Sequence, residues 1–319
     1  MADIQRRAPW LLTIGEALYD RVEGEGLHLG GAPLNVALHA AQLGARASLW
    51  SAVGRDPLGV QLISALQAGG VSTDWVSSHP DRETGVVEVS LDPQSGEPSY
   101  LIKEGVAWDA LEWHEGLSES LGSIDAISYG SLSLRGAQNR SALSALWEAI
   151  EQRRAQGGST PLCVFDINLR PPFIDWSTVD SCLEASDALK LNHEEWATLC
   201  KRHLSDLSAT VEGLTSTERE VREARGLIER FGLSWLVVTH GAKGLTLHHR
   251  DGYVQASGPE ATTGDRVGAG DATNAALIVS LLMGRGWDEA THIAARCGAF
   301  VASQHGATPT LPEELRALF

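Results

Sequence analysis

Apolar and polar positions along this chain alternate between strand-like runs and helix-like stretches. Residues 10–14 are a short apolar run ending at Gly15, the pattern of a buried strand. Residues 23–31 are glycine-rich and read as irregular. Pro33 then suits the first position of a helix, which continues to Gly44, a natural stop. Residues 47–53 read as the next strand. Asp56-Pro57 is a helix cap followed by proline, and that helix runs to Gly69-Gly70. The opening is therefore strand, helix, strand, helix.

A different pattern follows. Residues 84–91 alternate, with Val87, Val89 and Leu91 on one side, and Asp92-Pro93-Gln94-Ser95-Gly96 reads as a turn before an extended segment at 99–103. This predicts a β-hairpin inserted into an α/β chain, with one face covered and the other open to water or ligand. The first pattern then returns. Strands are predicted at 124–129, 162–167, 188–191 and 236–239, and helices at 138–153, 194–201, 218–231, 269–283 and 288–304. A second small hairpin spans 245–256. With no repeat and no low-complexity linker, the expectation is one α/β domain over residues 1–319. Its sheet should be doubly wound and mostly parallel, with helices on both faces. The β-segments at about 15–29 and 84–106 are insertions in it.

In such sheets ligands gather beyond the carboxyl ends of the strands. Residues 166–170, Asn192, Thr239 and Gly241 each follow a predicted strand end. Any one of them reads as a cap or turn residue; their shared position marks a site.

Composition narrows the ligand. The 319 residues are 43% hydrophobic, enough for one large domain or two small ones. A formal charge of −16 argues against nucleic acid or anionic membrane as partner. A polyanionic substrate would have to be held locally, by helix ends, a few cations and a metal. Cys163, Cys182, Cys200 and Cys297 are far apart with no C-x-x-C, which suits reduced, buried thiols and a cytoplasmic protein. His248 and His249 are adjacent in a predicted strand, so they face opposite sides and cannot chelate together. No apolar run follows Arg6 and Arg7 as in a signal peptide, and no stretch is long enough to span a membrane.

The candidate chemistry is concentrated in Thr263-Gly264-Asp265-Arg266-Val267-Gly268-Ala269-Gly270-Asp271, followed at once by an apolar helix. A helix start has backbone N–H groups without partners and about half a positive charge. Glycines let a large anion approach that backbone. An acid beside an anion site makes sense if it takes a proton, so the segment reads as an anion hole with its own general base, as phosphate transfer to a hydroxyl requires. The plainer alternative is a glycine-rich turn in which Asp271 only complements the helix dipole. No G-x-x-x-x-G-K-[ST] loop occurs. The run Gly24 to Gly30 misses a dinucleotide fingerprint by one residue and opens no helix.

These residues carry a resemblance. Gly30-Gly31-Ala32-Pro33-Leu34-Asn35-Val36-Ala37, up to Leu43-Gly44, resembles the N-terminal signature of the PfkB (ribokinase-like) carbohydrate kinases, and Gly264 to Asp271 resembles their C-terminal signature. Between them, in the family's order, stand Val53-Gly54-Arg55-Asp56 with Gly59, the D-x-N-x-R of Asp166 to Arg170, the N-x-x-E of Asn192 to Glu195, and Thr239-His240-Gly241 with Gly244. Gly15-Glu16-Ala17-Leu18-Tyr19-Asp20 and the G-G-A-P form resemble the fructokinase and 2-keto-3-deoxygluconate kinase branch.

The resemblance implies a ribokinase-like fold with the β-insertions as a lid over the sugar. It implies ATP and Mg²⁺ as cofactors, with a monovalent cation such as K⁺ open. It implies Asp271 as base, with Gly268, Ala269 and Gly270 as anion hole. It places Asp20, Gly30, Gly31, Asn35 and Arg170 at the sugar. It places Asn192, Thr239, Gly241, Gly244, Gly268 and Gly270 at the nucleotide, and Glu195 at the metal through water. The lid's open edge is expected to pair two copies as a homodimer.

Two positions depart from the family pattern: Arg266 stands where threonine is usual, and Thr273 where phenylalanine is frequent. The Arg266 guanidinium either adds a phosphate contact or points to solvent. Fructose is the expected acceptor, with 2-keto-3-deoxygluconate, a nucleoside or another sugar as alternatives. A catalytically silent sugar sensor is the rival of another class; an intact Asp271 argues against it.

Overall fold

A computed structural model describes residues 7–91, 98–206, 213–259 and 264–319. Its strands are β1 (Trp10–Ile14), β2 (Leu18–Val22), β3 (Gly26–Gly30), β4 (Arg46–Gly54), β5 (Val71–His79), β6 (Gly85–Leu91), β7 (Pro98–Ile102), β8 (Ala126–Gly130), β9 (Leu162–Asp166), β10 (Ala188–Asn192), β11 (Trp235–Thr239), β12 (Leu245–His249) and β13 (Gly252–Ala256).

Nine of these strands form one sheet in the order β13-β12-β11-β10-β9-β8-β1-β4-β5. Neighbours from β5 to β11 are all parallel. The pair β12 and β13 extends the sheet antiparallel, so the hairpin expected at 245–256 belongs to the main sheet. The chain starts at β1, steps outward to β4 and β5, then returns to β8 on the other side of β1. That reversal is a switch point, where a crevice opens beyond the strand ends.

Both faces of the sheet are covered because its strands bury side chains on both sides. Along β1, Leu11 packs into one cluster with Leu34, Val36, Leu277 and Ile278, while Leu12 and Ile14 pack into another with Leu143, Leu146, Leu199 and Leu227. The helices Ala32–Gln42, Ala269–Leu282 and Trp287–Ala302 supply the first layer. Those at Ala137–Ala155, His193–His203 and Ser216–Phe231 supply the second. The helix Ala269–Leu282 is buried at every residue from Ala272 to Ser280, as its all-round apolar sequence requires. His248 and His249 do face opposite sides, stacking on Trp196 and Trp287 respectively. All four cysteines are free and buried.

A second sheet, β3-β2-β6-β7, stands apart as the lid. Its two hairpins are joined by parallel pairing of β2 with β6. Val87 and Leu18 face inward onto Val106, Trp108 and Leu132, while Arg21 and Glu88 pair on the open side at 2.7 Å. The base of the lid is fastened at Asp56. Its carboxylate caps the helix Pro57–Ala68 through the Gly59 amide and also accepts the Thr84 amide and hydroxyl, each at 2.8 Å. The turn expected at Asp92 to Gly96, and Thr263, lie outside the described residues.

Several elements differ from expectation, among them the short helices Glu115–Ser120 and Glu313–Arg316. The segment read as irregular contains β3, which two-stranded pairing with β2 makes regular. The edge strand β5 and the short helix Trp176–Glu184 were not anticipated.

Candidate active site

A cleft of about 430 Å³ lies at the carboxyl ends of the central strands and beneath the lid. Asp271 stands in its wall, in the first turn of the helix Ala269–Leu282. No side chain caps this helix, and Gly268 takes the cap position with φ 75°. The Ala269 N–H of that turn reaches the Arg266 carbonyl at 3.4 Å, which leaves the Gly270 and Asp271 N–H groups to face an anion. The Asn35 amide donates a 2.8 Å hydrogen bond to Asp271 Oδ2 and so fixes the carboxylate. Burial pushes Asp271 up to about 6, against the pull of Lys190 and Asn35, with Asp166 adding to the rise.

Lys190 is the residue that sequence reasoning missed. It lies on β10, buried, and donates to both oxygens of Asp166 on β9 at 2.8 and 2.7 Å. Burial alone would lower its pKa, but the Asp166 carboxylate outweighs burial and raises it. A Cβ on Gly270 would sit 3.4 Å from Lys190 Nζ, so the ammonium reaches the start of the helix Ala269–Leu282. Its strand reads as apolar with one lysine, a pattern that ordinarily means a solvent-facing position.

Asp20, Gly31, Asn35 and Arg170 line the lid side of the cleft, with Glu16, Val87 and Tyr100. Burial pushes Asp20 up to about 6, with His28 and Arg170 opposing. Gly30 has a different place. A Cβ there would fall 2.2 Å from Asp20 Oδ2, so its absence makes room for that carboxylate, and Gly30 does not line the cleft. Gly31 is required by its φ of 103° and by the Glu16 carbonyl, 2.3 Å from where a Cβ would stand.

A second, narrower cleft of about 220 Å³ adjoins the first and shares Thr239, Arg266 and Gly270 with it. Gly241, Gly244, Ala269, Gly298 and Ala299 line it, small residues that leave a flat slot. The exposed Arg266 borders both clefts. Thr273 lines the slot and turns its hydroxyl back onto the Ala269 carbonyl at 2.8 Å.

Asn192 and Glu195 form a capping box at the start of the helix His193–His203. Both Glu195 oxygens accept backbone amides, from Leu169 and Asn192, each at 2.8 Å. Burial and the neighbouring Asp166 raise the Glu195 pKa. Among the described residues no cluster of three metal-ligating side chains exists. A divalent ion here fits only as a hard ion held mainly through water and phosphate oxygens, with spare lone pairs of Glu195 accepting from that water.

The loop before Asp271 is tied to the chain's last turns. Asp265 accepts the Gly306 amide at 2.8 Å and the Val267 amide at 2.9 Å. The buried imidazole of His39 pairs with the Ala307 carbonyl at 2.9 Å, and burial pulls its pKa down to about 4, so it stays neutral. A Cβ on Gly268 would lie 2.2 Å from that same carbonyl. Gly268→Ala should therefore displace the anion hole, and kcat should fall by about tenfold or more with the protein still folded. Steady-state kinetics beside a thermal melt test this.

Comparisons with known proteins identify the family and the fold. The family model described as pfkB family carbohydrate kinase matches residues 1–314. A fructokinase of Vibrio alginolyticus is 28% identical over 95% of this chain and 96% of its own length. The crystal structure of a fructokinase from Vibrio cholerae O395, with fructose, ADP and calcium bound, is 25% identical. It superposes with a TM-score of 0.76 over 98% of this chain and 99% of that one. A carbohydrate kinase of the same family from Listeria grayi shares the fold, with a TM-score of 0.78 at 19% identity over 97% and 99%. The chain belongs to the pfkB family of carbohydrate kinases and is an ATP-dependent sugar kinase of ribokinase-like fold.

Proposed function

We propose that this kinase phosphorylates a hydroxyl of a neutral sugar, D-fructose foremost, with Asp271 as general base. The observation that carries the reading is Asp271 itself, held by Asn35 at the mouth of an uncapped helix start. The sugar lies against Asp20, Gly31, Asn35 and Arg170, with Gly30 shaping Asp20. ATP places its base in the slot of Gly241 and Gly244, and its phosphates run past Thr239 and Asn192 towards Gly268, Ala269 and Gly270. ATP is the phosphoryl donor, and Glu195 would hold Mg²⁺ through water, where the ion would neutralise phosphate charge. Asp271 takes the hydroxyl proton as that oxygen attacks the terminal phosphorus and the bond to the ADP oxygen breaks. The helix start stabilises the three oxygens in flight. Lys190 adds a fixed positive charge behind it.

The charges favour a neutral acceptor over a sugar acid. Glu16, Asp20 and Asp271 face the sugar side, Lys190 is committed to Asp166, and Arg170 is left as the cation there. Lys103, at the end of the lid, pairs with Glu83 at 2.8 Å in solvent and does not line the cleft. A K⁺ requirement and pairing of two copies through the open lid edge remain part of the proposal. Among the described residues no helix is long and apolar enough to cross a membrane, which fits the proposed cytoplasmic setting.

An ADP-release assay with D-fructose, 2-keto-3-deoxygluconate and a nucleoside tests the acceptor. Fructose should give the highest kcat/KM. Fast turnover of the sugar acid or the nucleoside with negligible turnover of fructose overturns the substrate, and no turnover of any would favour a silent sensor.

A further inference from the structure

Glu16 is 3% exposed, yet it lines the cleft on the lid side, and its Oε2 is buried without a hydrogen-bond partner. It follows Gly15, whose φ of 140° turns the chain away from β1 and into the lid. Its backbone carbonyl and Cγ lie under Gly31, at the start of the helix that carries Asn35. A polar atom buried without a partner is costly, and a ligand atom that supplies the partner recovers the loss.

The charged groups around the same cleft are Asp20 from the lid, Arg170 after β9, the Asp166–Lys190 pair, Glu195, Asp271, and Asp265 and Arg266 from the loop before Asp271. Burial pushes Glu16 up to about 7 and Asp271 adds to the rise, against hydrogen bonding to its own backbone amide, the Arg170 charge and the Ala32 amide. Glu16 and Asp271 repel each other across the cleft, with Arg170 acting on both, so the two carboxyl groups do not ionise independently. A neutral carboxyl is also the form that can donate, since an ionised one only accepts.

Resting on the sugar-kinase reading above, we infer that Glu16 is a sugar-binding residue that engages D-fructose as a neutral acid, its O–H donating to a sugar oxygen from the lid side. Asp20 and Asp271 accept from sugar hydroxyls, so Glu16 supplies a donor of the opposite sense. The pattern recognises a polyol that offers both donors and acceptors. It also sets a ceiling on pH: ionisation of Glu16 removes the donor and places a third negative charge beside the sugar.

The test is a pH series of D-fructose and ATP kinetics for the wild type, Glu16→Gln and Glu16→Ala. Wild-type KM for fructose should rise as pH passes from 6 to 8.5, while KM for ATP stays level. Glu16→Gln keeps a donor that cannot ionise. Its fructose KM should stay within about threefold of the wild type at pH 6 and lose the rise above 7. Glu16→Ala should raise fructose KM about tenfold at pH 6 with KM for ATP unchanged. A wild-type fructose KM for Glu16→Ala overturns the inference, as does a rise with pH that persists in Glu16→Gln. So does an equal loss towards both substrates, the mark of a merely structural role. Absence of fructose turnover in the wild type overturns the sugar reading itself.

Discussion

Replacing Asp271 with asparagine should lower kcat by roughly 10²–10⁴-fold, the range for a positioned acid–base group. The substituted amide keeps an oxygen for the Asn35 donor and fills the same volume, so the change is confined to the ability to take a proton. Stability should shift by less than about 1 kcal/mol, because the helix-start interaction that is lost is small and a carboxylate that burial disfavours is removed. ATP should bind as well as before or better, since a negative charge beside its phosphates is gone. The pH dependence follows from the same carboxyl. Asp271 must be ionised to act, and it is pushed up to about 6, so wild-type kcat/KM should fall as pH drops through 6. A variant that turns over like the wild type, with only a small change in melting temperature, would reduce Asp271 to a partner of the helix dipole.

Removal of Lys190 should have the largest effect on stability. Lys190→Met leaves Asp166 buried with no counter-charge, next to Glu195 and Asp271. Breaking one half of a buried pair costs about 3–5 kcal/mol. For a chain of this size that corresponds to a melting temperature lower by about 5–8 °C. Lys190 also lowers the Asp271 pKa, so its loss should move the acid limb of the rate profile to higher pH. The double variant Asp166→Asn with Lys190→Met should recover most of the stability, because the orphaned charge is gone, but not the rate. If the single variant melts like the wild type, the buried Asp166–Lys190 pair does not contribute to stability as argued.

The fold was legible where local signals agreed. Asp56-Pro57, Pro33 and Gly44 punctuate helices whose limits fall within two residues of expectation, because capping chemistry is local. The edge strand β5 was not legible. Its sequence, VSTDWVSSH, has too few apolar positions to mark a period, and pairing along one side of β4 supplies the regularity. The same holds for β3, where glycines at both ends mask a strand that exists only against β2.

The candidate site divides along the same line. Residues in contiguous motifs, such as Gly268 to Asp271, are visible because they lie together in sequence at a helix start, where Gly268 alone is required by its φ of 75° and its contact with the Ala307 carbonyl. Gly30 belongs to a motif yet clears room for Asp20, a contact across a hairpin that no spacing encodes. Lys190 carries no motif at all. Its role comes from the parallel register that sets it opposite Asp166, and only the assembled sheet brings the two together.

The burial of every cysteine has a practical side. Burial raises all four thiols, Cys163 and Cys297 to about 12, far from the range in which a thiolate forms. The native chain should therefore react only slowly with thiol-directed dyes. Leu101 on β7 is 70% exposed at the outer margin of the lid. Leu101→Cys would carry one label at one address, without first stripping the background. Placed there, a fluorophore reads the separation between the lid and the tryptophans of the main sheet, and adding sugar or nucleotide in turn reveals which of them moves the small sheet.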